Sequence, residues 1–289
     1  MKTPRILQGV RILSLALNLP GPAALMRCRA MGASCTKLEP PSGDPMGLYS
    51  PTAYGVMHEG VKVRTADLKT EAGQKTLHAL LAKTDVLITS FRPSALGKLQ
   101  LGWKALHKQY PALSQVAIVG APGERAEEPG HDLTYLADNG LITGLDLPAT
   151  LYADMGGSLM ASEAVLQAVL NQRARGKGVF LEVTLSTAAG YAALPRQWGL
   201  TLPSGSVGGA HAGYRVYPCK DGRVAVAALE PHFARSLCEA AGIAIVDERQ
   251  LMSSKATHQT VAAFLATRTR KQLDKLSVEK DIPLHTLAN

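Results

Sequence analysis

Three short segments of this 289-residue chain carry side chains that readily move protons: GHDLTY at 130–135, ADMGG at 153–157 and ALEPHF at 228–233. They place His131, Asp154 and Glu230 each beside an expected helix start. One imidazole and two carboxylates take and return protons near neutral pH, provided the fold brings them together. Each also has a plain structural reading. Asp132 can cap a helix running through Tyr135 and Leu141, which makes Gly130-His131-Asp132 a turn and a cap. The positive end of such a helix disfavours imidazolium, so His131 would stay a neutral base. Asp154 can cap the long helix after it, and Glu230, just before Pro231, stands at another capping position. Gly156 and Gly157 turn Asp154 toward chemistry, because glycines let a ligand approach backbone N–H groups at a helix start, where an oxyanion is stabilised.

The elements that must position these groups follow from hydrophobic periodicity. In the first half, short apolar runs alternate with helix-like segments, the pattern of βαβ units that build a parallel sheet. Strands are expected at 10–17, 34–38, 86–89 and 113–119, and helices at 22–31, 74–82 and 96–107, with a Pro/Gly-rich loop over 40–51. A helix over 155–173 aligns Leu159, Leu166 and Leu170 on one face, with Val165 and Val169 beside it, and Gly176 can end it. A strand at 180–185 follows. The Gly- and Ser-rich stretch 203–213 reads as a linker. Beyond it, strands at 214–217 and 224–228 flank the hairpin turn Lys220-Asp221-Gly222, and helices are expected at 233–241, 260–267 and 272–278. The fold class is α/β: a Rossmann-like parallel-sheet domain over 1–202 and a smaller α+β domain over 214–289.

Composition bounds the function. No stretch approaches the roughly 18 consecutive apolar residues of a membrane span, so no membrane partner is expected. Lys2 and Arg5 precede the apolar run 12–17, but Arg11 abuts it and Asn18 closes it, so it reads as a buried first strand rather than a leader. The four cysteines, Cys28, Cys35, Cys219 and Cys238, form no CxxC pair, which fits buried reduced thiols in a cytoplasm and offers no metal motif. With 31 Lys+Arg against 23 Asp+Glu the formal charge is +8, suited to an anionic partner. Aromatic residues are only 5% and the basic residues are scattered, which argues against nucleic acid; a phosphate-bearing small molecule fits. Arg92, in Phe91-Arg92-Pro93, follows an apolar strand, where open α/β sheets bind ligands. It is a candidate phosphate contact or a solvated surface arginine, and Lys62 and Arg64 carry the same two readings. Gly43-Asp44-Pro45 reads as a turn.

Taken in order, a set of segments resembles the family III CoA-transferases (CaiB/BaiF), the superfamily that also contains α-methylacyl-CoA racemase. They are Gly9-Val10-Arg11-Ile12, Pro20-Gly21-Pro22, Met31-Gly32-Ala33, Lys37-Leu38-Glu39-Pro40-Pro41, Gly43-Asp44-Pro45, Ala66-Asp67-Leu68-Lys69, Asp85-Val86-Leu87, Phe91-Arg92-Pro93 and Leu101-Gly102. GHDLTY and the glutamate before Pro231 are similar to the racemase members in particular. The resemblance implies an acyl-CoA substrate, with coenzyme A part of that substrate and no permanently bound cofactor. It makes Asp154 the catalytic carboxylate and Arg92 a CoA contact. The implied racemase chemistry removes the α-proton of a 2-methylacyl-CoA and returns it to the opposite face. His131, paired with Glu230, serves one face and Asp154 the other, backbone N–H groups of 154–156 steady the thioester oxygen, and Tyr135 binds or orients. In the transferase alternative Asp154 is a nucleophile that passes through an anhydride to an aspartyl-CoA thioester. A third possibility is CoA-ester binding without turnover. Met46-Gly47 and Gly60-Val61-Lys62 stand where the family often has arginine and Gly-Lys-Arg, which implies fewer CoA contacts. Family chains continue past the segment matching Ile282-Pro283-Leu284 and return to the large domain in an interlocked dimer, so a homodimer is the expected assembly.

Overall fold

The computed structural model describes residues 4–245 and 251–288; Lys2 lies outside them. Two compact units divide between Ala193 and Leu194, nine residues before the expected linker.

In the first unit, β1 (Arg11–Ser14) leads into α1 (Pro20–Ala30), β2 (Ser34–Glu39), the short α2 (Met46–Tyr49) and α3 (Pro51–Met57), and β3 (Lys62–Thr65). Then come α4 (Glu71–Leu81), β4 (Val86–Thr89), α5 (Pro93–Lys98), α6 (Trp103–Gln109), β5 (Ser114–Val119), α7 (Asp132–Asp138), α8 (Tyr152–Arg175), β6 (Phe180–Thr184) and α9 (Leu185–Gln197), the helix in which the division falls. The six strands are all parallel, in the order β3-β2-β1-β4-β5-β6. Both faces are covered. Ile12, Ile88, Val116 and Ile118 pack on α1 and α8, while Leu13, Leu15 and Leu87, one step along the pleat, pack with Leu77, Leu81, Leu96 and Leu106 of the helices opposite.

Three expectations are corrected here. The helix over 96–107 is two helices, because Gln100 turns into the left-handed region (φ 59°) and Gly102 caps the second. The long helix does end at Gly176 in the left-handed conformation, but its buried face is not the leucine face. Leu159 and Leu170 are exposed, whereas Ala153, Gly157, Ser158, Ala161, Ala164, Val165 and Ala168 are buried. The small residues of α1 and α8 let the two backbones approach, so the stripe of small side chains faces inward. The strand expected to reach 185 stops at Thr184, and α9 starts at once at Leu185.

The second unit holds the antiparallel strands β7 (Tyr214–Cys219) and β8 (Gly222–Ala227), joined by the expected turn, and β9 (Leu284–Leu287) on the other side of β8. Three helices, α10 (Pro231–Ala240), α11 (Lys255–Ala266) and α12 (Arg270–Lys280), cover the sheet around Leu237, Val261, Leu265 and Leu273. None of the described helices is long and apolar enough to cross a membrane. Cys28, Cys35 and Cys238 are buried and Cys219 is half-buried. Burial pushes the Cys28 and Cys35 thiols up to about 12, which makes them inert packing groups.

Candidate active site

In this strand order the chain leaves β1 in one direction and β4 in the other, so the loops after these two strands part and leave a crevice at the carboxyl edge of the sheet. A cleft of about 190 Å³ opens there. Its walls include Leu17, Asn18 and Pro20 after β1, Phe91 and Arg92 after β4, Gly120 after β5, and His131, Tyr135 and Asp154. Four of the seven residues singled out from the sequence, Arg92, His131, Tyr135 and Asp154, therefore share one cavity.

The segment before α7 positions the imidazole. His131, extended at φ −142° and ψ 171°, is the N-cap; its N–H donates to Thr134 Oγ1 (3.0 Å), and the Thr134 hydroxyl donates back to the His131 carbonyl (2.8 Å). Asp132 is thus the first helical residue rather than the cap. Its buried carboxylate turns to the neighbouring helix and accepts the Asp154 N–H at 2.9 Å. One side chain joins the starts of α7 and α8 and fixes His131 relative to Asp154.

Asp154 is the third residue of α8, not its cap, so its carboxylate is not consumed by capping. Burial, reinforced by the charge of Asp132 and opposed by His131, pushes its carboxyl up to about 6. The helix dipole favours the carboxylate, and desolvation wins. Tyr135 feels the same field: burial first, then Asp154, raise its phenol, and Arg92 opposes them. The Tyr135 hydroxyl lies where a Cβ on Gly120 or Gly130 would stand, 2.3 and 2.6 Å away, so both positions need glycine for the ring to reach the cleft. Arg92 is held extended by Pro93, and its exposed guanidinium makes no hydrogen bond or ion pair among the described residues.

Within the first unit, Lys62 and Gly156 stand elsewhere. Lys62 opens β3 at the amino end of the strands, in a separate basic cleft with Arg5 and Arg29. Gly156 packs against Ala188, whose Cβ lies 3.3 Å from where its own would be, so its role in the fold is close packing of α8 on α9. The backbone donors expected over 154–156 are engaged: the Asp154 N–H by Asp132 and the Met155 N–H by the Leu151 carbonyl at 3.0 Å. Glu230 belongs to the second unit, where it is the exposed N-cap of α10 and its side chain makes no capping bond.

Sequence reasoning missed a buried charge cluster beside this cleft. Lys37, fully buried on β2, pairs with Asp44 and with Glu39 (3.1 Å) and touches His58 Nε2 (2.9 Å), while Tyr54 donates to Glu39 at 2.8 Å. Burial lowers the His58 pKa, which favours the neutral ring. Glu39, Asp44 and His58 present atoms within 4.8 Å of one another, a spacing a metal ion could use. The Lys37 ammonium contacts all three and fills that centre itself. Asp44 also accepts the backbone N–H groups of Asn18 (3.0 Å) and Met46 (2.9 Å), which pins the expected turn to the loop after β1.

Comparison with known proteins decides the family: residues 7–289 match the model of CoA-transferase family III. The chain belongs to that family. Human alpha-methylacyl-CoA racemase is 29% identical over 255 residues, 82% of this chain and 65% of that protein. Succinyl-CoA–D-citramalate CoA-transferase of Chloroflexus aurantiacus is 33% identical over 199 residues, 63% of this chain and 50% of that one. The chain therefore spans about half to two thirds of the length of these curated relatives. The crystal structure of a hypothetical protein from Mycobacterium tuberculosis, 22% identical, superposes with a TM-score of 0.84 over 99% of this chain and 86% of that one, which shows the fold. Of the quoted motifs, Pro20 and Phe91-Arg92 line the cleft, while Lys37 and Glu39 belong to the buried charge cluster.

Proposed function

We propose that this family III chain acts on an acyl-CoA and epimerises the α-carbon of a 2-methylacyl-CoA by proton transfer. The observation that carries the reading is the shared cleft of His131 and Asp154, in which the Asp154 carboxyl is raised to about 6. An acid that exchanges its proton near neutral pH suits a step in which one group takes a proton and another returns one. In the forward step His131 or Asp154 removes the C2 proton. The C–H electron pair moves into the C1–C2 bond, and the carbonyl pair moves onto the thioester oxygen as an enolate. Reprotonation at C2 by the other group inverts the centre with no net gain or loss of atoms. Arg92 binds a phosphate of the CoA portion. Tyr135, in the same cleft, orients the acyl group. Glu230 and a homodimer enter this proposal on the family resemblance alone.

Solvent exchange tests the reading. In D2O, deuterium should appear at C2 of a 2-methylacyl-CoA with racemisation, and both should fall in His131→Ala and Asp154→Asn. The transferase reading draws its support from the 33% identical relative and uses the same Asp154 as nucleophile. An unlabelled substrate together with a hydroxylamine-sensitive acyl group on Asp154 would favour it. Tight binding of the ester with neither reaction would leave only a binding function.

A further inference from the structure

The engaged amides at the start of α8 leave the thioester oxygen without the donors expected from the sequence, and one side chain of the same cleft is free to take that role. Asn18 follows β1 and lines the cavity with His131, Asp154 and Arg92. Its backbone is held at φ 64°, a left-handed conformation that non-glycine residues seldom adopt and that asparagine tolerates best. Two contacts hold it there. Its N–H donates to Asp44 Oδ1 at 3.0 Å, and Asp44 is itself fixed by the fully buried Lys37. Its side-chain oxygen accepts the Tyr49 hydroxyl at 2.9 Å. With Oδ1 committed to Tyr49, the amide plane is set and both N–H donors of Nδ2 remain, with no hydrogen bond among the described residues.

We propose that Asn18 is a substrate-contacting residue whose Nδ2 donates a hydrogen bond to the thioester oxygen of the acyl-CoA as that oxygen becomes an enolate. Tyr49 is then a positioning residue that sets the amide, and the Lys37–Asp44 pair anchors the loop behind it. Strain held at a cleft residue by a buried ion pair is the arrangement expected where a donor must be aimed before substrate arrives. The proposal rests on the acyl-CoA reading above and extends it to the residue that polarises the carbonyl.

The test uses the whole chain and a 2-methylacyl-CoA labelled with 13C at the thioester carbonyl, read by difference infrared spectroscopy and by C2 deuterium exchange. Asn18→Gly removes the amide while accommodating φ 64°, and Asn18→Asp keeps the shape but replaces the donor with an acceptor. In the wild type the bound carbonyl stretch should move to lower frequency. In both variants that displacement should vanish and the exchange kcat should fall about 100-fold, the usual effect of deleting one such donor. Tyr49→Phe should lower kcat less, with KM unchanged. A displaced carbonyl band lost in both variants, but no exchange by the wild type, would uphold Asn18 as the carbonyl donor and sink the racemase reading. Wild-type exchange retained in both variants, with an unmoved band, would overturn the proposal and leave that reading standing. No band displacement and no exchange in the wild type would overturn both.

Discussion

Replacing Asp154 by asparagine should make the protein more stable at pH 8, and the gain should vanish in acid. The reason is the cost of holding a carboxylate in the cleft. In the folded chain its pKa rises from the ordinary 3.8 to about 6, with burial the leading cause and Asp132 the second. Between these values the native state binds a proton that the unfolded chain has released. Stability therefore falls as pH rises from about 3.8 through about 6, and the full deficit is present above that. At about 1.4 kcal/mol per pH unit the ceiling is about 3 kcal/mol, and partial solvation of the carboxylate brings the expectation to about 1–2 kcal/mol. For a unit of 193 residues that is a rise in Tm of roughly 3–6 °C. Thermal unfolding of wild type and Asp154→Asn, without ligand, at pH 8 and pH 4 measures it. Asparagine retains the backbone N–H that Asp132 accepts, so the cap is unchanged. A variant no more stable than wild type at pH 8, or equally stabilised at both pH values, would refute the reasoning that this carboxylate is held against a desolvation cost.

Further outcomes follow from the same geometry. Asp132→Asn keeps an acceptor for the Asp154 N–H but removes a charge that raises the Asp154 carboxyl, so the acid limb of the kcat/KM profile should move to lower pH; an unmoved limb would detach that limb from Asp154. Lys37→Met leaves Glu39 and Asp44 buried without their counter-charge and should cost roughly 3–5 kcal/mol in urea unfolding, and a loss below about 1 kcal/mol would contradict the cluster's burial. Gly120→Ala puts a methyl 2.3 Å from the Tyr135 hydroxyl and should cost about 1–3 kcal/mol, part of which Tyr135→Phe should restore in the double variant. Arg92→Gln should raise KM for the CoA ester about 10-fold with kcat within threefold, and high salt should blunt wild type and not the variant.

Much of this was readable in the order of residues. Alternation of short apolar runs with helical segments set the parallel sheet, because a strand covered on both faces must be apolar over its length: all four residues of Val86–Thr89 are buried. Gly176 ended the long helix, and Lys220-Asp221-Gly222 closed the hairpin, since both rely on local backbone preference. Phe91-Arg92-Pro93 and GHDLTY pointed to the cleft because a strand's carboxyl end and a helix start are visible in sequence. Contacts between distant segments decided the rest. Asp132 looked like a cap for its own helix, yet its carboxylate serves α8, 22 residues away. Leu159 and Leu170 suited a buried face by spacing, but the close approach of α1 gave that face to alanine and glycine. Lys37, Asp44 and His58 carried no local signal for one buried ion cluster, because only the meeting of β2 with the two segments after it removes all three from water. Asn18 appeared only as the polar residue closing an apolar run. Its place beside His131 and Asp154 exists because β1 and β4 lie side by side in the sheet, a neighbour relation set by tertiary packing rather than by local sequence.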